Sequence, residues 1–305
     1  MRVGVTGASG LIGVALVAAL EGRGDTVVRF VRPDSAATST SVVRWDPQRG
    51  LIDDDDLVRV GGFDAVVHLA GAGIGDRRWT AHRKEEILRS RVASTTLLAE
   101  AISSTRLATG QLLTGSAIGY YGSRDDELLD ESSAVGDDFL AHVCQAWEAA
   151  AVPLERTGTS IARLRTGIVL SARGGALARQ LPIFRAGLGG TLSTGRQWLS
   201  SISLRDEVAA IIWIIDYRLS GPFNLAAPTP VTNREFTKEL GLCLHRPTIL
   251  TVPALALKVA LGAELATGAV LASQRVVPAA LSASGFTFTD PDIRSILRAT
   301  LAKGV

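Results

Sequence analysis

The sequence predicts an α/β fold: a doubly wound parallel sheet with a smaller C-terminal region attached. Three observations predict it. Strand-like apolar runs alternate with helical periodicity over the first half of the chain, the order that builds a parallel sheet with helices on both faces. The chain opens on a strand, a glycine turn and a helix, VGVTGASGLIGVAL at 3–16. At 305 residues it can bury one large core or two modest ones.

The first element is the apolar run Val3 to Thr6, and Gly7, Gly10 and Gly13 follow at intervals of three. Leu11, Ile12, Ala15, Leu16, Ala19 and Leu20 then recur at helical spacing, and Glu21-Gly22-Arg23-Gly24 closes the helix. A second strand, Val27 to Val31, completes a βαβ unit. In that setting Gly7 allows the tight turn, Gly10 a close backbone approach to a pyrophosphate, and Gly13 close packing of helix on strand. The helix start offers unpaired N–H groups to phosphate. This is the pattern of a Rossmann-type dinucleotide site. The second strand ends in VVRFVRPDS, with Arg32 at its tip and Arg29 within it. A guanidinium there suits a 2′-phosphate, so NADP(H) is favoured over NAD(H). A strand ending two residues later would instead offer Asp34 to a ribose 2′-OH.

Further strands are expected at 65–70, 110–116 and 160–170, with helices at 83–102 and 138–151 between them. From about residue 169 the pattern loosens into glycine-rich loops. An apolar helix at 207–216, GPFNLAAP at 221–228 and helical segments across 252–274 follow. The expected division is a dinucleotide-binding domain at 1–168 and a smaller substrate-binding region at 169–305, with residues 203–228 packing back on the core. Asp53 to Asp56 reads as a solvated loop.

Composition narrows the function classes. A net charge of +2 with both signs interspersed leaves no footprint for nucleic acid or an anionic membrane. Cys144 and Cys243 stand far apart in no metal spacing, which suits a reducing compartment, and no metal site is expected. With no signal segment and no uninterrupted apolar run of membrane length, a cytoplasmic location is the expectation.

Together TGASGLIG (6–13), VVHLAGA (66–72), TGSAIGYYG (114–122) and GPFNLAAP resemble the extended short-chain dehydrogenase/reductase superfamily, the NAD(P)-dependent epimerases and dehydratases. WDPQRG (45–50), RRWTAHRKEEILRSRVAST (77–95), CQAWEAA (144–150), LRTGIVLSARGGAL (164–177) and GLGGTLSTGRQW (187–198) narrow it to the atypical YfcH-type, sugar-nucleotide-epimerase-like subgroup. A C-terminal module typical of that subgroup matches VPALALKVALG and SQRVVPAALSASGFTFTDPDI. The resemblance spans essentially the whole chain and implies no known reaction. Candidate cofactor contacts are Gly7, Ser9, Gly10, Leu11, Ile12, Gly13 and Arg32, with Leu69, Ala70 and Gly71 from VVHLAGA. A homodimer through a helix pair is common on this scaffold.

The superfamily's chemistry uses a Tyr as acid/base, a Lys four residues on to lower its pKa, a Ser or Thr on the substrate oxygen and a supporting Asn. Four residues after Tyr120, Tyr121 and Tyr217 stand Arg124, Asp125 and Gly221, so the chain has no Tyr-x-x-x-Lys. The resemblance places Leu140 and Cys144 at the Tyr and Lys positions, Arg91 near the Asn position and Ser116 at the Ser. Tyr120 or Tyr121, in a loop after Ser116, could bring a phenol to the cleft, or could simply pack over it. Cys144 reads as inert packing and His68 as a satisfied core residue. His82 and His245 lie without metal-ligand spacing. Where the subgroup carries an aromatic and a His before Asp206, this chain has Ser201 and Ser203. Arg163, Arg165, Arg173, Arg185 and Arg196 would suit an anionic ligand if they shared one cleft, and surface solvation accounts for them equally. Two functions follow. One is an NADP(H)-dependent oxidoreductase or epimerase acting on a small carbonyl or sugar-nucleotide substrate, with Ser116 and a loop tyrosine polarising the oxygen. The other is an NADP(H)-binding protein without turnover that reports cofactor redox state.

Overall fold

The structure is a computed structural model and describes residues 1–35 and 40–302. The first half comprises β1 (Arg2–Thr6), α1 (Leu11–Gly22), β2 (Thr26–Val31), β3 (Val42–Asp46), β4 (Leu51–Ile52), α2 (Asp54–Val60), β5 (Ala65–His68), α3 (Ala81–Ser103) and β6 (Gln111–Ala117). Next come β7 (Leu128–Leu129), α4 (Phe139–Ala149), β8 (Ser160–Thr166), β9 (Ile168–Leu170), α5 (Gly175–Arg185) and β10 (Gly190–Leu192). After these lie β11 (Trp198–Leu199), β12 (Ser201–Ser203), α6 (Leu204–Asp216), β13 (Gly221–Leu225), β14 (Val231–Thr232) and α7 (Asn233–Leu244).

The main sheet runs β13-β8-β6-β5-β1-β2-β3-β4. Every pairing in it is parallel except β3 with β4. The doubly wound sheet expected from the alternation of elements is therefore present. Strand β1 pairs with β2 on one side and β5 on the other, so the winding reverses at its C-terminal end, where open α/β sheets place their ligands.

Burial on both faces explains the apolar strands. All four residues of β5 are buried, as a central parallel strand requires. One face packs Val3, Val5, Leu113 and Leu164 under Leu16 and Leu20 of α1 and Ile211 and Ile214 of α6. The other packs Val28, Val66 and Leu112 under Leu98 and Ile102 of α3. A separate cluster of Leu177, Leu181, Phe184, Phe236, Leu240, Ile296 and Leu297 joins α5, α7 and the C-terminal helix Ile293–Ala302.

Two expectations change. The strand expected across 160–170 breaks at Gly167, where a Cβ would lie 2.7 Å from the Ser200 carbonyl oxygen. Beyond the break β9 leaves the sheet and pairs with β12, while β13 takes the edge beside β8. The acidic run at 53–56 is no solvated loop. Asp53 caps α2 by accepting from the Asp56 amide at 2.9 Å, and the other three acids fill the first turn, where the helix dipole favours negative charge. Asp56 itself is buried and receives Arg44 and Arg59. Among the described residues no helix is long and apolar enough to cross a membrane.

Candidate functional site

The glycine turn sits at the switch point, and each glycine can be judged by what a side chain would strike. Gly7 has φ +65°, and a Cβ there would lie 2.8 Å from the Leu69 carbonyl carbon. At Gly13 a Cβ would come within 2.2 Å of the Gly7 oxygen, so helix and turn approach as closely as glycine allows. Gly10 closes the turn by donating its amide to Gly7 at 2.9 Å. It is also the N-cap of α1 and brings no capping side chain, which leaves the first-turn amides to an outside acceptor.

The facing loop, 69–72, is held by side chains. Thr6 Oγ1 accepts from the amides of Leu69 at 3.1 Å and Ala70 at 3.2 Å, and lies 2.7 Å from His68 Nδ1. Having accepted twice, the hydroxyl has its proton left for Nδ1. The imidazole therefore carries its proton on Nε2 and donates to Ser94 Oγ at 3.0 Å, whose own proton goes to the Ser90 carbonyl at 2.7 Å. Burial, and then the nearby Arg91, holds the His68 pKa down to about 3, in keeping with a neutral core ring. Ser90 Oγ accepts from the Ala72 amide at 3.1 Å and pins the far end of the loop.

Between turn and loop opens a cleft of about 1030 Å³, continuing past the tip of β2. Gly7, Ser9, Arg32, Ala70 and Gly71 line it, so five candidate contacts from three separate segments meet there. Gly10 and Gly13 shape the turn behind them, Leu11 packs against the loop at Gly174 and Gly175, and Leu69 backs onto the core. Strand β2 ends at Val31, which leaves Arg32 as the tip residue; Asp34 is exposed and does not line the cleft. Arg32 touches Asp46 at 3.2 Å, an ion pair open enough to water to contribute little. Trp45, Gln48, Arg77, His82, Glu85, Glu86, Arg89 and Ser90 are also on the wall, so it carries charge of both signs. The sequence reading assigned no cleft role to Thr6, Trp45 or Ser90; the signal for Trp45 was WDPQRG, and the two hydroxyls carry no local signature.

Ser116, at the end of β6, leads into a buried network. Its hydroxyl donates to Glu148 Oε1 at 2.7 Å. Arg165 holds the same carboxylate at both oxygens, Nε to Oε1 at 2.8 Å and Nη2 to Oε2 at 3.0 Å. Its Nη1 donates to the Tyr121 hydroxyl at 3.0 Å, which donates in turn to Asn224 Oδ1 at 2.7 Å. Tyr121 is thereby placed inside the protein, not in the cleft, and burial pushes its phenol up to about 12. Tyr120 is half-buried, with the Arg165 guanidinium 3.5 Å from its ring centre. Leu140 and Cys144 pack together against Gly119, and burial followed by Glu148 pushes the Cys144 thiol up to about 11. The five arginines do not share one cleft: Arg165 is in this network, Arg163 pairs with Glu155, and Arg173, Arg185 and Arg196 are exposed. Ser203 caps α6 and Ser201 is buried in β12.

A parallel sheet whose winding reverses over a glycine turn, an uncapped helix start and a side-chain-pinned loop defines a dinucleotide-binding protein of the Rossmann class. More particularly, the chain belongs to the NAD dependent epimerase/dehydratase family, which matches residues 3–226, while residues 252–300 match a domain of unknown function, DUF1731. It is 43% identical to the epimerase family protein Mb2239 of Mycobacterium bovis, over 94% of this chain and 93% of that one. The structure of the human epimerase family protein SDR39U1 (isoform 2) with NADPH superposes with a TM-score of 0.88 at 30% identity, covering 100% of both chains. A nucleoside-diphosphate sugar epimerase from Corynebacterium glutamicum gives 0.78 at 36% identity, over 99% of this chain and 58% of that one.

Proposed function

We propose that this chain binds NADP(H) in the cleft and uses it to exchange hydride with a small carbonyl or sugar-nucleotide substrate. The observation that carries the reading is the continuous cleft from Arg32, past the side-chain-free backbone at Gly7, to the pinned loop at Ala70 and Gly71. Its features suit the three parts of the cofactor. Arg32 and Ser9 offer a cation and a hydroxyl to a 2′-phosphate; the first-turn amides of α1 suit a pyrophosphate; the loop ending at Ala72 suits a nicotinamide riboside. NADPH in the human relative supports the phosphorylated cofactor.

When bound, the cofactor supplies hydride, the hard part of the chemistry. The chain's own residues orient and exclude water more than they move protons. Ser116 is held by Glu148, so its hydroxyl must exchange that bond before it can donate to a substrate oxygen. Of the two loop tyrosines, Tyr120 is the one with access to solvent. A second reading, NADP(H) binding without turnover, is favoured by one observation: Ser116 and Tyr121 both spend their protons inside the protein. NADPH consumption by absorbance with aldehydes and ketones, together with epimer formation from UDP-sugars followed by NMR in the presence of NADP⁺, separates the two, because epimerisation returns the hydride and consumes no net cofactor. Turnover in either assay supports the enzyme. Saturable NADPH binding with neither consumption nor epimer formation leaves the second reading.

A further inference from the structure

Arg91 is a buried cation beside the cleft with no anionic partner among the described residues. It lies on α3 and is 7% exposed, yet among the described residues no carboxylate lies within salt-bridge distance of it. Its one hydrogen bond runs from Nη1 to the Ile87 carbonyl at 3.0 Å, on its own helix, which leaves Nε and Nη2 unbonded. The guanidinium sits 4.9 Å from the Trp147 ring centre on one side. On the other, a Cβ on Gly71 would lie 3.4 Å from its Cζ. Gly71 lines the cleft, so Arg91 stands directly behind the 69–72 loop, which the proposed reading gives to the nicotinamide riboside.

A buried charge without a partner is expensive to keep unless something it meets compensates it. The neighbouring groups do not. Cys144 keeps its proton, Trp147 offers only a ring face, and the Glu148 carboxylate is occupied by Arg165. The nearby Arg83 is of like charge and is turned to Glu86 and the Gly73 carbonyl. On the cleft wall Arg29 and Arg32 are paired with Glu21 and Asp46, and Arg77 and Arg89 are matched in number by Glu85 and Glu86, so the field of Arg91 adds to a wall balanced in charge, across the glycine backbone at Gly71.

Nicotinamide carries a positive ring charge when oxidised and none when reduced. We propose that Arg91 makes the site select the reduced cofactor, disfavouring the oxidised, cationic ring. The inference rests on the NADP(H) reading and adds a redox preference with a named cause. Repulsion between two unit charges across a wall of protein, at an effective dielectric of roughly 20, is worth on the order of tenfold in affinity.

The test is a pair of dissociation constants, NADPH by its fluorescence and NADP⁺ by competition, for wild type, Arg91→Met and Arg91→Lys, with NADH measured alongside. Wild type should bind NADPH about tenfold or more tighter than NADP⁺. Arg91→Met should collapse that ratio, Arg91→Lys should keep most of it, and the NADPH-to-NADH ratio should be unchanged in both. Equal wild-type affinity for the two redox forms overturns the inference while leaving NADP(H) binding in place. So does an Arg91→Met ratio equal to that of wild type. If neither phosphorylated cofactor binds wild type, the reading beneath it falls as well.

Discussion

Glu207 lies in the first turn of α6, where the helix dipole should favour its carboxylate, yet it is fully buried. Oε1 accepts from Thr166 Oγ1 at 2.9 Å, and Oε2 is buried without a partner among the described residues. Burial dominates and pushes the carboxyl from its ordinary 4.5 up to about 8. The folded chain then holds a proton that the unfolded chain has lost, so stability is full below pH 4.5 and falls as pH rises through about 8. At about 1.4 kcal/mol per tenfold in proton affinity, the loss is about 3 kcal/mol at pH 7 and about 5 kcal/mol above pH 8. Glu207→Gln keeps the shape and removes the titration. Urea unfolding of both proteins from pH 5.5 to 8.5 reads the effect as a difference, in which every other titrating group cancels. The variant's advantage should grow by about 1.4 kcal/mol per pH unit and level off near pH 8. An advantage independent of pH would show that Glu207 ionises freely and that water reaches its carboxylate, refuting the reasoning.

The remaining predictions concern the cleft. His68, held from its ordinary 6.5 down to about 3, makes the fold lose stability as pH falls between those values, because only the unfolded chain takes up the proton. His68→Gln should flatten that acid limb of the stability curve while lowering stability at neutral pH by about 1–3 kcal/mol for the disturbed hydrogen bonds. Gly13→Ala should weaken NADPH binding at least about tenfold and lower the Tm, since its methyl meets turn backbone that cannot retreat. Gly22→Ala, in the same helix with nothing within 4 Å of its added carbon, should bind NADPH normally and match or slightly exceed wild-type stability.

What could be read in advance divides along physical lines. The glycine turn was legible because its constraint is local: three glycines, a strand and a helix contain their own reason. The place of Arg32 at the tip of β2 was legible because the apolar run ends at Val31. The break at Gly167 was not, because it is set by a carbonyl at Ser200 on a strand folded back from far along the chain. Nor was the fate of Ser116 and Tyr121. Their hydroxyls look like cleft chemistry in TGSAIGYYG, and only Glu148, Arg165 and Asn224, from three other elements, turn them inward. Burial of the Glu207 carboxyl likewise depends on how α6 seats against β8. The acidic run at 53–56 could have been recognised as a helix start, with Asp53 three residues before the backbone amide it caps.

The central claim is that this cleft holds NADP(H) with Arg32 at the 2′-phosphate, and its most direct measurement is a fluorescence titration with NADPH and NADH on wild type and Arg32→Ala. Wild type should prefer NADPH by about tenfold or more, as a charge-assisted phosphate contact would give, and Arg32→Ala should lose the preference by weakening NADPH alone. Equal affinity for the two cofactors in wild type, or a preference untouched by Arg32→Ala, would contradict it.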